Sequence, residues 1–209
     1  MKVLRISYNC FSIILLLSAL FFSGCTREKP LSGEYQETGR YSCGLAVVKS
    51  SDLYGYINKR GKEAIPCQYF FAYPFSENKA LVIGSDGVFY IDKRGNKLFS
   101  PDCGYSGSFN KGLAPCSIDG RFGYLNSEGA VVIPCQFEEV SDFHWGRAAV
   151  LFNGKMGYIN KEGDWVVPPR FDWAASFYRG KGLAVLNGQE YRVSFRGKVR
   201  KIKAEGVSE

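Results

Sequence analysis

The chain has 209 residues, a formal net charge of +7 and 24 glycines, with 45% apolar and 15% aromatic residues. That balance excludes a disordered polyelectrolyte, and the length suits one domain or one compact repeat array.

The first 24 residues read as an export signal. Lys2 and Arg5 open it, an apolar run from Phe11 to Phe22 follows, and Ser23-Gly24 precede Cys25. This is the charged, apolar, small-residue order of a secretory signal. The run is shorter than the roughly 20 residues a membrane-crossing helix needs, so no transmembrane helix is expected in the mature chain. Removing Lys2 and Arg5 takes the formal charge from +7 to +5.

Phe22-Ser23-Gly24-Cys25 resembles the lipobox of bacterial lipoproteins, with Phe22 where Leu is usual. The resemblance implies cleavage before Cys25, lipidation of its thiol and an anchor in a membrane. Thr26 in place of Asp implies the outer membrane. Residues 25–32 are then a lipidated tether.

From residue 33 a 34-residue period governs the chain. Gly61, Gly95, Gly129, Gly163 and Gly197 keep that step, as do Tyr56, Tyr90, Tyr124 and Tyr158. Phe75, Phe109, Phe143 and Phe177 do so too, with Tyr41 one period earlier. Ala46, Ala80, Ala114 and Ala148 form a further column, and Val48, Val82, Cys116 and Val150 another. Helical hairpins can share this period. Here, however, apolar residues alternate in short runs, as Ala148 and Val150 do, and Gly and Asn punctuate them, which predicts strands.

Residues 135–168 give the plan of one unit. Phe137 to Phe143 is a short, partly alternating segment. Arg147–Phe152 reads as a strand, Asn153-Gly154 as a two-residue hairpin turn, and Met156–Asn160 as the returning strand. Asn160-Lys161-Glu162-Gly163 is a second turn. Asp164–Val167 is a third strand, which Pro168 is expected to end. The second turn recurs at Asn58–Gly61, Asp92–Gly95 and Asn126–Gly129, and its oxygen-bearing first residue is read as turn chemistry, not as a metal ligand. The prediction is an all-β chain of antiparallel meanders, three strands each with room for a fourth, arranged as an open β-solenoid or a small propeller-like array.

These units resemble the WG-repeat family. Tyr41-Ser42-Cys43-Gly44-Leu45-Ala46-Val47 and Phe109-Asn110-Lys111-Gly112-Leu113-Ala114 match its first segment. Tyr54-Gly55-Tyr56-Ile57-Asn58, Phe122-Gly123-Tyr124-Leu125-Asn126 and Met156-Gly157-Tyr158-Ile159-Asn160 match its second. Tyr54, Val88, Phe122 and Met156 occupy the Trp position, and Phe89 replaces the Gly of the second copy. Five units follow, at about 33–66, 67–100, 101–134, 135–168 and 169–203, with a tail at 204–209. The last copy reads as looser, with two residues added before Gly182-Leu183-Ala184, as befits a terminal cap.

Chemistry is sparse. The single histidine, His144, sits in a linker position that varies between copies, and no phosphate loop or His-Glu metal motif occurs. Glu138 and Glu139 are adjacent, so a strand would turn them to opposite faces. No catalytic residue, metal or cofactor is expected. Cys43, Cys67, Cys103, Cys116 and Cys135 remain after the signal leaves, and their pairing is left open; Cys116 stands in a Val column and reads as core. Trp145, Trp165, Trp173, Tyr73 and Tyr178 fall outside the regular columns and are candidates for stacking on a sugar or peptide. Arg192, Arg196, Lys198, Arg200, Lys201 and Lys203 concentrate positive charge near the end, read either as a solvated last strand or as a contact for anionic groups. Nucleic acid is not an expected partner of an exported chain. The expectation is a lipid-anchored binding or scaffold protein of the envelope, outward- or periplasm-facing, with a protein or glycan partner. The alternatives are an envelope-polymer hydrolase and a purely structural component.

Overall fold

The structure, a computed structural model, describes residues 35–202. The signal segment and Cys25 lie outside the described residues. Twenty strands form five four-stranded antiparallel sheets in simple meander order, and no helix occurs among the described residues. The first sheet is β1 (Glu37–Thr38), β2 (Leu45–Ser50), β3 (Leu53–Asn58) and β4 (Glu63–Tyr69). The second is β5 (Phe71–Ala72), β6 (Ala80–Gly84), β7 (Gly87–Ile91) and β8 (Lys97–Phe99). The third is β9 (Tyr105–Ser106), β10 (Leu113–Ile118), β11 (Arg121–Asn126) and β12 (Val131–Phe137). The fourth is β13 (Glu139–Val140), β14 (Ala148–Phe152), β15 (Lys155–Ile159) and β16 (Trp165–Phe171). The fifth is β17 (Trp173–Ala174), β18 (Lys181–Leu186), β19 (Gln189–Ser194) and β20 (Val199–Lys201).

The turns are built as their residues demand. Asn153 and Gly154 both take positive φ, 51° and 72°, which matches the twist of the β14–β15 hairpin. At the second turn the Asn58 side-chain oxygen accepts hydrogen bonds from the Arg60 and Lys62 amides. Asp92, Asn126 and Asn160 repeat the pattern. These oxygens are spent on backbone amides, so the column is turn chemistry.

Each unit has a fourth strand of only two residues, and Pro168 does not end its strand: β16 runs through Pro168 and Pro169 to Phe171. The reason is the glycine opposite. Between the pairs Tyr158↔Val167 and Met156↔Phe171, β15 advances two residues while β16 advances four. The surplus residues bulge over Gly157, where an added Cβ would lie 2.6 Å from the Val167 carbonyl oxygen. An outer-edge bulge tolerates proline, which has no N–H for the ladder. Gly55 faces Pro66 and Gly123 faces Pro134 in the same way. Where Phe89 and Tyr191 replace the glycine there is no such proline, and β8 and β20 shrink to three residues each, against seven in β4, β12 and β16.

The fifth unit is not looser in register, and the two added residues expected there are absent. The bridge Tyr178↔Lys181 lies 34 residues after His144↔Arg147, and Asn187-Gly188 turns 34 after Asn153-Gly154. Gly180-Lys181-Gly182, not Gly182-Leu183-Ala184, is the true counterpart of Gly146-Arg147-Ala148. The chance repetition of a Gly-Leu-Ala triplet two residues on misleads the alignment.

Sheets join through a tyrosine–phenylalanine interlock. Tyr56 is fully buried, donates its hydroxyl to the Tyr73 carbonyl of the next unit at 2.8 Å and meets the Phe75 ring at 4.8 Å. Tyr90 with Gly107 and Phe109, Tyr124 with Ser141 and Phe143, and Tyr158 with Ala175 and Phe177 repeat this at each junction. Burial pushes all four hydroxyls above the usual tyrosine range. Each apolar core accordingly combines two consecutive sheets, as Tyr124, Ile133 and Phe137 of the third do with Phe143, Ala148 and Ile159 of the fourth. No core cluster of described residues joins the fifth sheet to the first.

Candidate binding surface

The five candidate aromatics do not form one platform; among the described residues no ring contact links any two of them. Trp165 meets Phe137 and Phe152 edge-on, 5.9 Å from each, and serves the junction of the third and fourth sheets. Tyr73 packs into the core between the second and third sheets. Trp145 and Tyr178 are exposed in the turns that lead into β14 and β18. Trp173 is half exposed on the edge strand β17.

Trp173 has company that the sequence reading passed over. Phe71, Tyr105 and Trp173 occupy the first position of the short edge strands β5, β9 and β17, and all are exposed. Their 34-residue spacing is interrupted by Glu139 at the equivalent place in β13, which hid the column. Alternation along the strand turns this residue outward and buries its neighbour, Ala72, Ser106 or Ala174. The column therefore repeats one solvent-facing site on the first edge strand of three units.

Thiols gather in the third unit. Cys116, fully buried, lies on β10 with its sulfur 3.7 Å from that of Cys135 on β12. Gly123 stands opposite Cys116 on the intervening strand and leaves room for the two to meet. Burial, then Cys135 and Cys103 nearby, push the Cys116 thiol up. Both Cys116 and Cys135 are free thiols.

The last sheet ends in a cationic concavity of about 560 Å³ lined by Lys181, Arg192, Ser194, Lys198, Arg200, Lys201 and Ile202. Arg192 holds the position that the interlocking tyrosine holds in the first four units, 34 residues after Tyr158. Among the described residues no further unit lies beyond it for a tyrosine to reach, and the cation keeps this face wet. Basic residues that the sequence only clusters in number are thus brought onto one face, and Lys181 from β18 joins them. Arg196 lines no part of it, and Lys203 lies outside the described residues.

The family model described as "WG containing repeat" matches residues 54–83, 122–155 and 156–189. The chain is a WG-repeat protein. No curated protein is similar enough to count as a relative. Among solved structures, a eukaryotic initiation factor is similar over 90% of this chain and 60% of its own, at 10% identity and a TM-score of 0.53. PorZ, a surface component of the type-IX secretion system of Porphyromonas gingivalis, is similar over 80% of this chain and 28% of its own, at 9% identity and a TM-score of 0.46. A Bacteroides caccae protein of unknown function is similar over 87% of each chain, at 13% identity and a TM-score of 0.37. The WG-repeat protein thus spans less than two thirds of the first two of these chains. In it the Trp position sits beside the edge column: Tyr54 packs on Phe71 at 5.4 Å, and Phe122 on Tyr105 at 6.4 Å.

Proposed function

We propose that this WG-repeat protein is a lipid-anchored, non-enzymatic binding or scaffold protein of the bacterial cell envelope, held by Cys25 in the outer membrane and facing the periplasm or the exterior. The observation that carries the reading is the edge column Phe71, Tyr105 and Trp173, exposed side chains offered at one register by equivalent edge strands. Exposed aromatic faces suit contact with a protein segment or a glycan. The lipid anchor rests on the order of residues before Cys25 alone.

Two measurements test it. A fatty-acid probe fed to cells labels the wild-type chain and leaves Cys25→Ala unlabelled; label on the mutant contradicts the anchor. Crosslinking in intact cells yields a defined partner that the triple variant Phe71→Ala, Tyr105→Ala, Trp173→Ala no longer captures; an unchanged pattern contradicts the surface.

The hydrolase reading keeps one point in its favour. Loss of solvent around Asp142 pushes its carboxyl up, with His144 pulling the other way. A raised carboxyl is what a general acid needs. Turnover of an envelope polymer that Asp142→Asn abolishes would establish that reading in place of ours.

A further inference from the structure

We infer that the terminal face of the fifth sheet is a binding site for a phosphate-bearing ligand with at least two negative charges. This stands apart from the anchor and from the edge column, and holds whether or not Cys25 is lipidated.

The face is built by the regular register of β19 and β20. Arg192 pairs directly with Arg200, and Lys181 on β18 with Ser194. Alternation puts Arg192 and Ser194 on the same side of β19, and Lys198 lies two residues before Arg200, so the four cations converge on one surface. Lys201 and Ile202 close the rim. All five cationic side chains are exposed.

A cap alone does not account for this. Blocking a sixth unit requires polarity, which charges of mixed sign provide at lower cost. Like charges directly opposite across two strands destabilise the pair. Three cations of other units do have carboxylate partners: Lys49 with Asp52, Arg121 with Glu138, and Lys155 with Asp172. Among the described residues none of the five cations of this cleft has an ion pair, and Glu190, two residues from Arg192 on the same face, makes none with them. Five cations thus share one cleft with no carboxylate paired to them within the described structure, and a bound anion would supply that partner.

Two guanidinium groups side by side favour phosphate, whose oxygens take paired N–H donors, and the lysines add point charge. Ser194 contributes a hydroxyl. Its oxygen already accepts the Lys198 amide, which leaves its O–H as a donor for the ligand. The volume lies within the range of small-ligand sites.

Such a phosphate is either a soluble phosphorylated group or a lipid headgroup. Calorimetric titration of the purified full chain with tripolyphosphate, and separately with short-chain phosphatidic acid below its micelle concentration, tells them apart. Short-chain phosphatidylcholine is the control. The expected result is binding of at least one phosphate probe, weakened about tenfold or more by Arg192→Gln with Arg200→Gln and little changed by Lys59→Gln with Arg60→Gln on a distant turn. Tripolyphosphate alone points to a soluble ligand; phosphatidic acid alone points to a headgroup. Both cleft positions are exposed, so circular dichroism of the double variant should match the wild type. Failure of both phosphate probes to bind, or binding that the cleft variant leaves intact, overturns the inference.

Discussion

At the scale of single residues, the buried tyrosine hydroxyl decides most. Tyr124 donates to the Ser141 carbonyl across a junction, and its ring lies 4.7 Å from Phe143. Tyr124→Phe keeps the ring and removes the bond, so urea unfolding should show a loss of about 1 kcal/mol. Arg192→Gln, at the same column position but with no neighbour to bond, should change stability far less. The four hydroxyls also predict a pH dependence. Their folded pKa values are raised, so their contribution is complete below the unfolded value of about 10 and is lost as pH rises from there towards the folded values. Ultraviolet titration should find a tyrosine class that ionises only as the chain unfolds; ionisation of every tyrosine near the unfolded value with the fold intact would contradict this. Cys116→Val copies the residue that the column carries in Val48, Val82 and Val150, and should fold with less than about 1.5 kcal/mol change.

At the scale of the element, the hairpins were legible and the end of the third strand was not. Asn153-Gly154 announces its turn through the positive φ that both residues tolerate. The third strand was foreseen, but its extent was obscured because Pro168 is a strand breaker by local rules, and only the bulge over Gly157 lets β16 run on to Phe171. That bulge is a contact between strands, visible in sequence only as the joint presence of Gly55 with Pro66, Gly123 with Pro134 and Gly157 with Pro168. Gly157→Ala should drive a methyl into the Val167 carbonyl and cost about 2 kcal/mol, read as a lower denaturant midpoint. The candidate surface was legible in part. Trp173 stood out by type, whereas Phe71 and Tyr105 shared its column but went unnoticed until their edge strands placed them outside. The cations near the end were visible as a run, but only the pairing of β19 with β20 and β18 brought Arg192, Arg200 and Lys181 together.

At the scale of the whole molecule, the period foretold an array whose units shelter one another, and four interlocks between five sheets bear that out. The two ends of the interlock differ from its middle. The first unit offers Tyr41 where later units bury phenylalanine, and its hydroxyl turns to Asn58 of its own unit. The last offers Arg192 where earlier units bury tyrosine. Stability in such an array is a sum over units and nearest-neighbour junctions, so damage stays local. Native-state hydrogen exchange on Phe177→Ala tests this most directly, since that ring seals the junction between the fourth and fifth sheets. The account predicts faster exchange in β17 to β20, with the amides of β2 and β3 as protected as in the wild type. Equal loss of protection in the first and fifth sheets would contradict it.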